Sequence, residues 1–196
     1  MDPPQPDART RNLDVPDVRT RILDAAEGIV QARGVSGLTL DATARDAGAS
    51  KGGLLYHFAS KEALIDAMLR RLAAHIEADY EATVAAQAPG AGRVARAMLH
   101  WTFGEGELAC GERHDRAGAV FLASFHHDPA LLDPIRAVFE RFQRDLESDG
   151  LPPGAAEAIS LAGDGLFMHR LFRLVTHPPE RMARMRAALE TLLETR

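Results

Sequence analysis

At 196 residues, with 46% hydrophobic and 26% charged side chains, the chain has the composition of a folded globular protein rather than a disordered one. No apolar run reaches the roughly 18 residues that cross a bilayer, and Met1-Asp2-Pro3-Pro4 lacks a basic segment followed by an apolar core, so neither a membrane partner nor a secretory leader is expected. The formal charge of −5 speaks against an architectural nucleic-acid coat, but residues 1–61 hold eight basic and eight acidic side chains, so the excess falls wholly on residues 62–196.

Residues 1–15, rich in Pro, Asp and Arg without apolar periodicity, are expected to form a mobile tail. From Pro16 the pattern becomes helical: Ile22, Ala26, Ile29 and Val30 recur at i, i+4, i+7 and i+8, and Gly34 stands where a C-terminal cap belongs. Thr39–Ala47 predicts a short second helix ended by Gly48, and Ser50 caps a third through Phe58. Ser60 caps a long fourth, with Glu62 near the positive end of its dipole and a stripe of Leu64, Met68, Leu72, Ile76 and Tyr80. After the break at Ala88-Pro89-Gly90-Ala91-Gly92, five more helices are predicted, at 92–104, 115–127, 129–148, 154–176 and 178–195. The expectation is an all-α chain of about nine helices.

Two short helices joined at a glycine have the layout of a helix-turn-helix, and both are too short to stand without packing from the first and fourth helices. Gly52 and Gly53 sit in the first turn of the third helix, where each costs up to about 1 kcal/mol relative to alanine. Missing side chains there permit close approach of main chain to another surface, and a helix start offers unpaired N–H groups to phosphate. A capped surface turn is the plainer account of a bare Gly-Gly. Against it stands lysine usage: of 23 basic residues only Lys51 and Lys61 are lysine, and they bracket this helix. Lysine is a compact charge suited to phosphate.

The stretch from Thr39 through Ala47-Gly48-Ala49-Ser50-Lys51-Gly52-Gly53-Leu54-Leu55-Tyr56-His57-Phe58 to Lys61-Glu62-Ala63-Leu64 resembles the DNA-binding signature of the TetR family of bacterial regulators. The likeness covers about residues 18–66. It implies a three-helix DNA-binding domain over 16–60 and a larger helical effector-binding and dimerisation domain over 61–196. It also implies a homodimer that reads palindromic operator DNA, represses transcription and is released by a small molecule. By matched position, Thr39 touches phosphate. Ser50, Lys51, Gly52, Gly53, Leu55, Tyr56 and His57 lie at the operator, and Lys61 at the backbone beyond. Two departures stand out. Thr43 replaces an apolar residue, which implies looser packing of the second helix, and Leu55 replaces a frequent tyrosine, leaving a thymine methyl as its expected contact.

The body is less legible. Trp101, Phe103, Phe121, Phe125, Phe167 and Met168 are candidates to line an apolar effector cavity, with plain core as the alternative for each. Ala158, Leu161, Ala162, Gly165 and Phe172 on one helix, and Met182, Met185, Leu189 and Leu192 on the last, are candidate dimer-interface residues. Their alternative is burial within the same subunit.

Other constellations carry less. Cys110, His114, His126, His127 and Asp128 match no compact zinc spacing, and Ser124, His126 and Asp128 stand two apart, pointing in different directions on a helix. No metal, cofactor or catalytic residue is expected. The lone Cys110 forms no internal disulfide, which fits a reducing cytoplasm. Two further readings stay open: a DNA-binding regulator governed by a protein partner or by abundance, and a helical-cavity enzyme, for which no nucleophile–base pair or phosphate loop is present.

Overall fold

The computed structural model describes residues 16–104, 129–152, 154–172 and 174–194. Among them all regular structure is helical. Eight α-helices run in order: α1 (Val18–Arg33), α2 (Leu40–Asp46), α3 (Lys51–His57), α4 (Lys61–Ala85), α5 (Arg93–Phe103), α6 (Asp133–Glu147), α7 (Ala155–Leu171) and α8 (Pro179–Glu194), with short 3₁₀ turns at Val35–Gly37 and Pro129–Leu132. The expected tail over 1–15 and helix over 115–127 lie outside the described residues.

Side-chain oxygens fix where the first four helices begin. Asp17 accepts the Thr20 amide at 2.8 Å, Thr39 that of Ala42 at 3.1 Å, Ser50 that of Gly53 at 3.0 Å and Ser60 that of Ala63 at 3.1 Å. The turn between α2 and α3 is a Schellman motif. Ala49 N–H donates to the Ala44 carbonyl and Gly48 N–H to that of Arg45, while Gly48 takes φ +62°, a value that a Cβ disfavours. Arg21 ties this turn to α1 by donating from Nε to the Ala47 carbonyl.

One hydrophobic cluster runs through the molecule. Ile22, Ala26 and Val30 of α1 meet Leu54 and Phe58 around α3. The buried face of α4 carries the cluster on through Leu64, Met68 and Leu69 to Phe142 of α6 and Ile159 of α7. Thr43 is fully buried, and its hydroxyl donates to the Thr39 carbonyl at 2.9 Å, so the polar atom in α2 is satisfied inside the helix.

One detail of the body lay beyond the sequence reading and another differs from it. The start of α5 is capped from a distance. Gly92 has no side chain to offer, and the buried Asp149 carboxylate accepts the amides of Val94 and Ala95 at 2.8 and 2.9 Å. The helix expected over 154–176 ends at Leu171. β-Branched Val175 and Thr176 ahead of Pro178-Pro179 favour extended backbone, and His177 folds back so that its Nε2 lies 2.9 Å from His169 Nδ1, the two rings stacked.

Candidate nucleic-acid interface and effector cavity

The buried and exposed sides of α3 divide cleanly. Leu54 and Phe58 face the core, while Lys51, Gly52, Leu55, Tyr56 and His57 are exposed, Tyr56 at 86%. Gly53 is half-buried, and a Cβ there would meet Ser50 Oγ at 3.1 Å. Gly52 is different: nothing lies within 4 Å of where its Cβ would stand. The fold of this chain therefore does not require glycine at 52, and the bare main chain there faces outward.

The expected contact residues are not equivalent in the free protein. The Thr39 and Ser50 hydroxyls are engaged as helix caps, which leaves their remaining lone pairs and their exposed backbone for any partner. Lys51 is exposed but ion-paired, its Nζ 3.0 Å from Asp41 Oδ1. Lys61, which family likeness sets against phosphate, is half-buried and donates to the Val35 carbonyl at 2.8 Å. Its cation closes the 3₁₀ turn onto the start of α4. Sequence reasoning missed Asp41 as the partner of Lys51, ten residues on and across the turn. It also missed Arg45, an α2 cation whose side chain is 74% exposed.

A cavity of about 640 Å³ opens between α4, α5, α6 and α7. Trp101, Phe167 and Met168 are on its wall; Phe103 is not, and packs against the hydrophobic cluster instead. Two positions beyond Trp101 on a helix is roughly 200° of rotation, which turns Phe103 away. Phe121 and Phe125, like Cys110, His114, Ser124, His126, His127 and Asp128, lie outside the described residues. Much of the remaining wall comes from α6, including Phe139 and Phe142. The one-sided spacing of Ile135, Val138, Phe142 and Leu146 was the sequence signal that α6 bears on the interior. Phe142 is buried at the centre of an aromatic group with Tyr80 at 4.3 Å, Trp101 at 5.7 Å and Phe139 at 5.8 Å between ring centroids. The indole Nε1 of Trp101 is buried without a hydrogen-bond partner among the described residues.

The cavity also touches α1. Asp24 and Glu27 line one end, where Arg71 of α4 binds both carboxylates at 2.7 and 2.6 Å. An occupant of the cavity would thus lie against the ionic tie between α4 and the helix that packs on α2 and α3.

Ala158, Leu161 and Gly165 on α7 and Phe172 just past its end are exposed and spaced by three, four and seven, with Met168 on the same line; Ala162 is half-buried. The four α8 positions behave otherwise. Met182, Met185, Leu189 and Leu192 are half-buried, and Leu189 and Leu192 pack against the hydrophobic cluster of their own chain, so that half of the α8 seam is internal.

Comparison with known proteins bears on this arrangement. Residues 22–68 match the family described as bacterial regulatory proteins, tetR family, and residues 92–194 match the tetracyclin repressor-like C-terminal domain. The chain belongs to the TetR family of bacterial transcriptional regulators. The HTH-type transcriptional regulator SrpR of Pseudomonas putida is 37% identical over 73 residues, 37% of this chain and 34% of that protein, so the chain matches about a third of that relative's length. A solved TetR-family member from Streptomyces coelicolor A3 superposes with a TM-score of 0.62 at 26% identity, over 90% of this chain and 98% of the other. The multidrug binding protein EbrR, solved in complex with malachite green, superposes with a TM-score of 0.58 at 27% identity, again over 90% of this chain and 98% of the other.

Proposed function

We propose that this TetR-family regulator is a non-enzymatic cytoplasmic repressor that binds operator DNA as a homodimer and leaves it when a small, largely apolar molecule enters the cavity. Residues 16–60 form the DNA-binding domain and 61–196 the effector-binding and dimerisation domain. The observation that carries the DNA reading is the outward main chain at Gly52 in the first turn of α3, open to solvent, with an almost fully exposed Tyr56 one turn further along. That turn brings amide groups to the sugar–phosphate wall. Lys51, Tyr56 and His57 add donors, and Leu55 offers an apolar contact to a thymine methyl.

The exposed α7 stripe is the dimer surface, joined by Met182 and Met185 of α8. Dimer geometry sets the action, because two recognition helices read both half-sites only when they stand ~34–36 Å apart. An effector pressing on α4 at Arg71 changes how α1 sits on α4, and so changes the pose of α3. The effector favours the DNA-free state only if it binds that state better. The EbrR complex with malachite green supports an effector in this fold, as does the Trp101 N–H on the cavity wall, which has no hydrogen-bond partner among the described residues.

The direct test is a gel shift on DNA upstream of the protein's own gene, comparing the wild type with the double variant Lys51→Ala, Tyr56→Ala. Binding is expected to fall at least tenfold; equal affinity would remove α3 as the reading element. A thermal-shift screen with lipophilic compounds checks the effector half of the proposal, for which at least one stabilising compound is expected.

A further inference from the structure

We infer that the effector is an organic cation with a broad apolar body, its positive centre held by the Asp164 carboxylate and its approach favoured by Asp79. This rests on the reading of the cavity as the effector site and adds the charge of what fills it.

Among the described residues, three arginines and four carboxylates stand on the cavity wall. Each arginine is engaged. Arg71 holds Asp24 and Glu27. Arg136 pairs with Asp133 and donates to the Pro129 carbonyl. Arg170 donates to the Thr102 carbonyl at 3.2 Å. The carboxylates divide differently: Asp24 and Glu27 have their arginine, whereas Asp79 and Asp164 have no ionic or hydrogen-bond partner for their side chains among the described residues. Both are half-buried on the wall. Among the described residues, the three arginines of the wall face four wall carboxylates as well as the Asp133 that Arg136 holds, so the charge around the cavity is negative on balance.

An anionic effector would have to share an arginine with its present partner while lying near two carboxylates that have no partner among the described residues. A cation meets them unopposed, in surroundings where apolar walls strengthen the attraction. Burial alone raises the Asp164 carboxyl above the ordinary aspartate range, as expected of a carboxylate that lacks a countercharge. Asp164 sits on α7 beside Gly163, where a Cβ would come within 2.9 Å of Thr102 Oγ1. The α5–α7 contact is therefore close at this point and fixes where the carboxylate stands. Around it, Phe139, Phe142, Ile159 and Leu166 supply apolar surface for the ligand body.

Trp101 is the single tryptophan of the chain and lies on the cavity wall, so its fluorescence reports occupancy directly. The test titrates the full-length protein with tetraphenylphosphonium and tetraphenylborate, ions of matched shape and opposite charge. The phosphonium is expected to change Trp101 emission saturably and to bind at least tenfold tighter than the borate. Asp164→Asn is expected to remove most of that preference, and Asp164→Glu to keep it. Equal or tighter binding of the borate, or a preference that survives in a folded Asp164→Asn protein, would overturn the charge assignment while leaving the effector cavity standing. Binding of neither ion would overturn both, since a cavity that admits no apolar ion of either sign is not an effector site. Should the asparagine variant fail to fold, the wild-type comparison still decides the sign.

Discussion

Lys51 and Asp41 face each other across the helix-turn-helix, Nζ 3.0 Å from Oδ1, on a surface where both side chains are largely exposed. A phosphate arriving at Lys51 must compete with this carboxylate and approach it closely. In the free protein the pair contributes little to stability, because exposed ion pairs are screened. If Lys51 meets phosphate as proposed, Asp41 acts as a brake on non-specific binding. Asp41→Asn is expected to tighten DNA binding several-fold at low salt. The slope of log affinity against log salt should steepen by up to about 0.9, one phosphate's worth. Fluorescence anisotropy across a salt series measures both, and an unchanged slope would place Lys51 away from the backbone.

Gly52→Ala separates folding from binding. The Cβ meets nothing in the free protein, and alanine raises helix propensity, so stability to urea is expected to rise by up to about 1 kcal/mol. Operator affinity is expected to fall because the methyl group occupies the gap into which main chain and phosphate approach. A variant that gains stability and keeps full affinity would show that no close approach occurs at this position.

Tyr80 makes alkaline stability a readable quantity. Its phenol donates to Asp145 Oδ2 at 2.8 Å, and burial, followed by that carboxylate, pushes its pKa well above the ordinary tyrosine value. The folded state therefore holds the proton more tightly than the unfolded chain does. The resulting stability is full below about pH 10 and is lost as pH rises toward the folded-state value. Tyr80→Phe is expected to cost about 1 kcal/mol at pH 7. Urea midpoints between pH 8 and 11 should show a shallower alkaline decline than in the wild type.

Leu161, 65% exposed in the middle of the α7 stripe, is the most economical probe of assembly. Leu161→Glu places a charge in an apolar contact without disturbing the interior of its own chain. Sedimentation velocity at micromolar concentration is expected to show dimer for the wild type and monomer for the variant. Loss of operator affinity should accompany the change, since a monomer reads one half-site only. A dimeric variant would move the interface elsewhere.

The local chemistry of the chain settled what could be settled within a few residues. Asp17, Thr39, Ser50 and Ser60 each reach an amide three positions on, and Gly48 supplies the one backbone conformation the turn requires, so the first four helices and the exposed face of α3 were legible without coordinates. Contacts between distant positions were not, because side-chain periodicity reports that a face is buried and not what covers it. Asp149 capping α5 from 54 and 55 residues away, Arg71 gripping Asp24 and Glu27, and Leu189 packing into its own subunit were decided by how the helices stack. Lys61 shows the limit most plainly. Its place in the motif implied a phosphate contact and said nothing of the Val35 carbonyl, which the three-dimensional arrangement of α1, the 3₁₀ turn and α4 brings within its reach in the free protein.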